Sequence, residues 1–111
     1  MTVDLRRLYV DGRDVGTVEV AASARARSKG LLGRTGLDGA LWLAPAKQVH
    51  TFGMRFTIDV AHLDKEGRVL AVTRMPPWRM GAVRWRSRGV LEAAEGAFAE
   101  WGLAVGSVVQ W

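Results

Sequence analysis

Two short apolar runs with β-branched residues, at 5–10 and 15–20, flank the segment Asp11-Gly12-Arg13-Asp14. An Asp-Gly pair between such runs is a strong hairpin signal, because a tight two-residue turn needs φ above zero at both positions. The chain is therefore expected to open with a β-hairpin. Residues 21–34 change period: Ser23 can cap a short helix, Ala24, Ala26, Leu31 and Leu32 form its apolar stripe, and Gly30 and Gly33 end it. Arg25 and Lys29 make its outer face basic.

From residue 40 the pattern returns to strands, at 40–43, 49–56, 58–63 and 68–73, with Asp64-Lys65-Glu66-Gly67 turning the chain between the last two. Val60, Leu63, Val69 and Val72 can pack one side of that hairpin, although the alternation is imperfect and both faces can be partly buried. Residues 75–88 break the pattern, since Pro76-Pro77 removes two backbone donors and Gly81 loosens the chain. This stretch reads as a long exposed loop in which Arg74, Arg79, Arg84, Arg86 and Arg88 bring no acidic neighbour. A short strand at 90–93, one helical turn at 97–101 closed by Gly102, and a final strand at 107–111 complete the chain. Many short strands with one clear helix predict a mainly β fold, α+β by looser accounting. The expected form is a small antiparallel β-barrel or curled sheet with one short helix packed on it.

With 111 residues, 49% hydrophobic and 24% charged, the chain is expected to form one domain over 1–111. The absence of cysteine removes disulfides, thiolate metal sites and thiol nucleophiles together. No run approaches the roughly 18 apolar residues of a membrane span, and the amino terminus lacks the apolar core of a signal peptide, so a cytoplasmic location is expected. A net charge of +5 suits an anionic partner, nucleic acid among them, without favouring one.

Four segments occur in an order that resembles the DUF192 (UPF0127) family. They are Arg27-Ser-Lys-Gly30-Leu31-Leu32-Gly33-Arg34, Val49-His-Thr-Phe-Gly-Met54-Arg-Phe-Thr-Ile58-Asp59-Val60, Leu63-Asp64-Lys-Glu-Gly67-Arg-Val69 and Val90-Leu91-Glu92. The resemblance implies a small, mostly β fold and no particular reaction. It places the family's recurrent polar residues on Arg27, Arg34, Asp59 and Glu92, and its small or apolar positions on Gly30, Met54 and Gly96. The chain departs from the family pattern at Thr57, where proline is usual, at His62, where an aromatic is frequent, and at Gly106-Ser107, where Gly-Asp is common.

Arg27 and Arg34 lie seven apart, nearly on one face of a continuous helix, and Asp59 and Glu92 sit in strands that could oppose it. One reading is a binding pocket of Arg27, Arg34, His50, Asp59 and Glu92, in which a guanidinium grips an anionic or hydroxylated ligand and a carboxylate accepts hydroxyl protons. The other is a structural ion-pair network fastening helix to sheet. Asp59 with Glu92 could also form the general acid/base pair of a hydrolase or lyase on a carbohydrate-like substrate. His50 and His62 have no recognised ligand spacing, so no metal is expected. His50 is expected to hydrogen-bond in the sheet with Thr51, and His62 to be a packed or half-exposed ring. No nucleophile elbow, phosphate loop or dinucleotide fingerprint occurs, and no cofactor is expected.

Trp78 and Trp85, interleaved with Arg79, Arg84 and Arg86, could stack on bases or sugars along the rim of the pocket, or could close the open ends of a small barrel. Trp42, Trp101 and Trp111 lie in apolar runs and read as core. The leading expectation is a non-catalytic domain that binds a small molecule or a protein partner. Nucleic-acid association through the loop at 74–88 is a second, and hydrolysis through Asp59 and Glu92 a third.

Overall fold

A computed structural model describes residues 4–21 and 30–111. Strands β1 (Asp4–Val10) and β2 (Arg13–Val20) form the expected hairpin. Its two turn residues both adopt positive φ, 51° at Asp11 and 82° at Gly12, as the mirror-image turn of a twisted hairpin requires. Then follow β3 (Ala40–Leu43), β4 (Ile58–Leu63), β5 (Val69–Met75), β6 (Gly89–Ala94), α1 (Ala97–Trp101) and β7 (Val109–Gln110). They make one seven-stranded sheet in the order β5-β4-β6-β3-β2-β1-β7, curled into a half-barrel.

The two edges of the sheet approach each other where Arg68 bridges Val108, and the Val109 N–H donates to Gly67 O at 2.9 Å. Gly67 has φ 82°, and a Cβ there would stand 2.5 Å from Val109 O, so glycine alone permits this contact.

The sheet is not wholly antiparallel as expected, because β2 and β3 run parallel. The connection between them, residues 21–39, is long enough for the crossover that a parallel pair needs. The expected helix at 21–34 falls largely on residues 22–29, outside the described residues. Its expected end, residues 30–33, is a turn in which the Arg34 N–H donates to Leu31 O at 3.1 Å.

The expected strand at 49–56 is absent apart from one bridge between His50 and Met80. Thr51 draws this segment into the loop 76–88. Its N–H donates to Arg79 O at 2.8 Å, its carbonyl accepts from Trp78 N at 2.9 Å, and its Oγ1 donates to Pro76 O at 2.6 Å. The next residues turn, with Met54 N donating to Thr51 O and Gly53 at φ 78°. Strand β5 correspondingly runs to Met75, past the expected end at residue 73.

All six residues of β4 are buried, which explains its weak alternation: both faces of the sheet carry a core. On one face Leu8, Val18, Ala61, Leu91 and Ala93 pack beneath Phe98 of α1 and Leu103. On the other, Leu41, Ile58, Val60 and Val90 pack beneath Leu31, Val49 and Met54 from the connecting segments. Trp42, Trp101 and Trp111 are partly buried against the first core, as expected, and the Trp42 and Trp111 rings lie 4.8 Å apart. No helix among the described residues is long and apolar enough to cross a membrane.

Candidate functional site

Antiparallel pairing fixes which face each side chain takes, because residues directly opposite share a face and neighbours along a strand do not. Glu92 of β6 lies opposite Leu41 of β3 on one side and Val60 of β4 on the other. Its carboxyl therefore stands among aliphatic side chains in the core covered by loops, with 5% of the residue exposed. It makes no hydrogen bond or ion pair with any described residue. Burial pushes its carboxyl up from 4.5 to about 7, since desolvation penalises the charged form.

Glu92 lines a cavity of about 160 Å³. Leu31, Leu43, Val49, Met54 and Val90 supply apolar wall, and His50 and Gln48, both exposed, bring polar groups to its outer part. Gln48 is held in place by its Nε2 donating to Gly81 O at 2.9 Å. Such a pocket offers hydrocarbon contact for a small apolar body and one carboxyl that can accept from a hydroxyl or an ammonium group.

The other expected site residues divide. Asp59 pairs with Ala93, and Val60 with Glu92, so the register sets the two carboxylates on opposite faces of the sheet. They cannot flank one bond, and the proposed acid/base pair of a hydrolase or lyase loses its geometry. Asp59 instead holds α1: its Oδ2 accepts from the backbone N–H groups of Gly96 and Phe98, each at 3.1 Å. Gly96, at φ 90°, offers no side-chain cap of its own, so a carboxylate from a distant strand takes that part.

Arg34 is on the same side of the sheet as Glu92 but pairs with Glu19, Nη2 to Oε2 at 3.1 Å, and both side chains are partly exposed. It does not line the cavity. Arg27 lies outside the described residues. The three described polar positions, Arg34, Asp59 and Glu92, thus do not form one cluster.

The expected bond between His50 and Thr51 is also not formed. His50 is exposed and stacks on Phe52, with ring centroids 5.0 Å apart. His62 is a buried ring whose Nδ1 lies 2.9 Å from Ser87 Oγ. That hydroxyl also lies 2.7 Å from Ala46 O, which can only accept, so the proton on the hydroxyl goes there and His62 donates from Nδ1. Burial and the nearby Arg84 lower the His62 pKa and keep the ring neutral. Among the described residues no three His, Asp or Glu gather as metal ligands.

The loop at 75–88 is exposed as expected but pinned along its length. Besides the Thr51 bonds, Gly81 N donates to Val49 O, Arg84 N to Lys47 O, and Lys47 Nζ to Trp85 O, all within 2.8 Å. Arg74 is not free of acidic neighbours, since it bonds Glu95. Trp78 and Trp85 do not close the barrel ends: they are 66% and 77% exposed.

Ser87 and Gln48 were missed in the sequence, and Thr51 was expected only as a partner of His50, not as the residue that joins the two loops. A buried threonine organising two loops leaves no periodic signal, although Gly53 two residues on was a sign that 49–56 turns rather than extends.

Known proteins supply a context. The family model DUF192, described as an uncharacterized ACR, matches residues 7–111. A UPF0127 protein of Pyrococcus horikoshii is 31% identical over 86 residues, covering 73% of this chain and 75% of its own. A crystal structure of a protein of unknown function from Novosphingobium aromaticivorans superposes with a TM-score of 0.79 at 21% identity, covering 96% of this chain and 85% of the other. One from Sinorhizobium meliloti, described as a candidate transcription regulator, gives 0.81 at 18% identity, covering 99% and 95%. At these identities the two structures speak to the fold alone.

Proposed function

The chain belongs to the DUF192 (UPF0127) family, and from that premise we propose that it is a non-catalytic binding domain whose cavity takes a small molecule with an apolar body and one amine or hydroxyl group. The observation that carries this reading is Glu92, a buried carboxyl beside the aliphatic wall of a cavity, with no partner among the described residues. A carboxyl so placed costs stability unless something compensates. A ligand donor would satisfy it.

The cavity volume of about 160 Å³ sets the size of the part of a ligand that can enter. A dry cavity of roughly 150 Å³ is known to accept benzene, so a body of about six to eight heavy atoms fits. The anionic ligand expected from Arg34 is less well served, because Glu19 already engages that guanidinium.

The test is a thermal-shift titration with a series of short alkylamines and alcohols at pH 6 and pH 8. A ligand at 100 times its dissociation constant should stabilise the fold by about 2.7 kcal/mol. An alkylammonium should bind more tightly at pH 8, where Glu92 is ionised, and Glu92→Gln should remove that dependence. Indifference to both series, or binding of an alkylammonium by Glu92→Gln as tight as the parent's at pH 8, would overturn the proposal.

A further inference from the structure

The charge of this chain is unevenly placed. Segments 44–57 and 76–88 carry six of the sixteen Lys and Arg residues and none of the eleven Asp and Glu, while the other ten basic residues are matched by eleven acidic ones. These two segments are joined to each other through Thr51, Val49 and Lys47, so the excess belongs to one surface. Arg79, Arg84 and Arg86 are exposed there and make no ion pair with any described residue.

The same surface exposes aromatic rings. His50 stacks on Phe52, and Phe52 lies 6.3 Å from Trp78 with the planes 30° apart. Trp78 has φ 64°, a backbone conformation uncommon for a bulky residue and persisting only where the surroundings impose it. Here the imposed geometry holds an indole out in water.

The loop 76–88 starts beside the Ile58 end of β4, where Met75 pairs with Ile58, and finishes beside its other end, where Arg88 N donates to Leu63 O at 2.8 Å. It therefore runs back along β4, a distance on the order of 17 Å for six extended residues. Trp78 marks one end of this path and Trp85, with Arg84 and Arg86 on either side, lies toward the other.

We propose that this surface is a track for single-stranded nucleic acid, in which bases stack on Trp78 and Trp85 and phosphates pair with Arg79, Arg84 and Arg86. Aromatic planes alternating with guanidinium groups match the alternation of base and phosphate along a strand. The path suits about four nucleotides, the lower end of site sizes on small single-strand binding folds. An anionic bilayer fits less well: each indole is flanked directly by arginine, so inserting the rings would carry guanidinium groups into the hydrocarbon. This site is separate from the cavity at Glu92.

Fluorescence anisotropy of a labelled oligouridylate of about ten nucleotides tests the proposal. Binding should weaken with salt at a log–log slope near −2, about −0.7 for each of three phosphates neutralised. Changing Arg79, Arg84 and Arg86 together to Ala should abolish that slope, and Trp78→Ala should weaken binding about tenfold without changing it. Glu92→Gln should bind as the parent does, which separates this result from the fate of the cavity. No binding at low salt, affinity unmoved by Trp78→Ala and Trp85→Ala, or capture by phosphatidylserine vesicles in place of the oligonucleotide would each overturn the proposal.

Discussion

Asp59 and Glu92 sit one register step apart on neighbouring strands, yet they meet opposite conditions. On the face closed by α1, Asp59 accepts two backbone N–H groups, and its carboxylate is accounted for by the fold. On the face closed by loops, Glu92 is buried against Leu41 and Val60 and beside a cavity, and no described residue satisfies it. The resemblance to DUF192 singled out both positions alike. What separates a structural carboxylate from a candidate binding carboxylate here is the hydrogen-bond inventory around it, which the resemblance alone does not supply.

The largest expected effect lies on the satisfied side. Asp59→Ala leaves Gly96 and Phe98 N–H without their acceptor and should lower unfolding free energy by about 3 kcal/mol, since each bond to a charged group is worth roughly 1.5–3 kcal/mol. Urea denaturation reads this directly. A loss below about 1 kcal/mol would mean that α1 does not need its distant cap, and the contrast between the two carboxylates would weaken.

Glu92→Gln should act in the opposite direction and only above acid pH. Below about pH 4.5 the carboxyl is protonated in both folded and unfolded chains and contributes no difference. Between pH 4.5 and about 7 the unfolded chain gives up its proton while the folded one retains it, so the parent protein loses stability as pH rises through that window. Glutamine removes the loss. The variant should therefore match the parent near pH 4 and exceed it at pH 8 by about 3 kcal/mol, the equivalent of the shift at 1.36 kcal/mol per unit. His62 tilts the parent the other way, because a lowered histidine pKa costs stability as pH falls below about 6.5. That contribution is common to both proteins and cancels in their difference. Equal stability of variant and parent at pH 8 would show that Glu92 is already compensated.

Much of this arrangement was legible in the sequence. The Asp11-Gly12 hairpin, strand β4, the turn at 64–67 and the helical turn at 97–101 ending at Gly102 are as expected. They rest on local chemistry, a turn pair or a glycine in the left-handed region. What was not legible depends on partners far along the chain: the Thr51 bonds that turn 49–56 into a loop, and the register that parts Asp59 from Glu92. Side-chain alternation within β4 and β6 could not reveal their relative register, because both strands are buried on both faces and neither shows a polar side.

The smallest expected effect belongs to Arg34, one of the two arginines expected to clamp a ligand. It shares the sheet face of Glu92 but spends its guanidinium on Glu19, with 36% of its side chain and 24% of its partner's exposed. A pair that open to water contributes at most about 1 kcal/mol. Arg34→Ala should thus cost little stability, and it should leave binding of an alkylamine by the cavity unchanged, because the arginine does not line that wall. Isothermal titration of Arg34→Ala beside Glu92→Gln puts the two on one scale. If Arg34→Ala weakened binding as much as Glu92→Gln did, the guanidinium would have to leave Glu19 for the ligand, and the cavity would serve anions as the sequence first suggested.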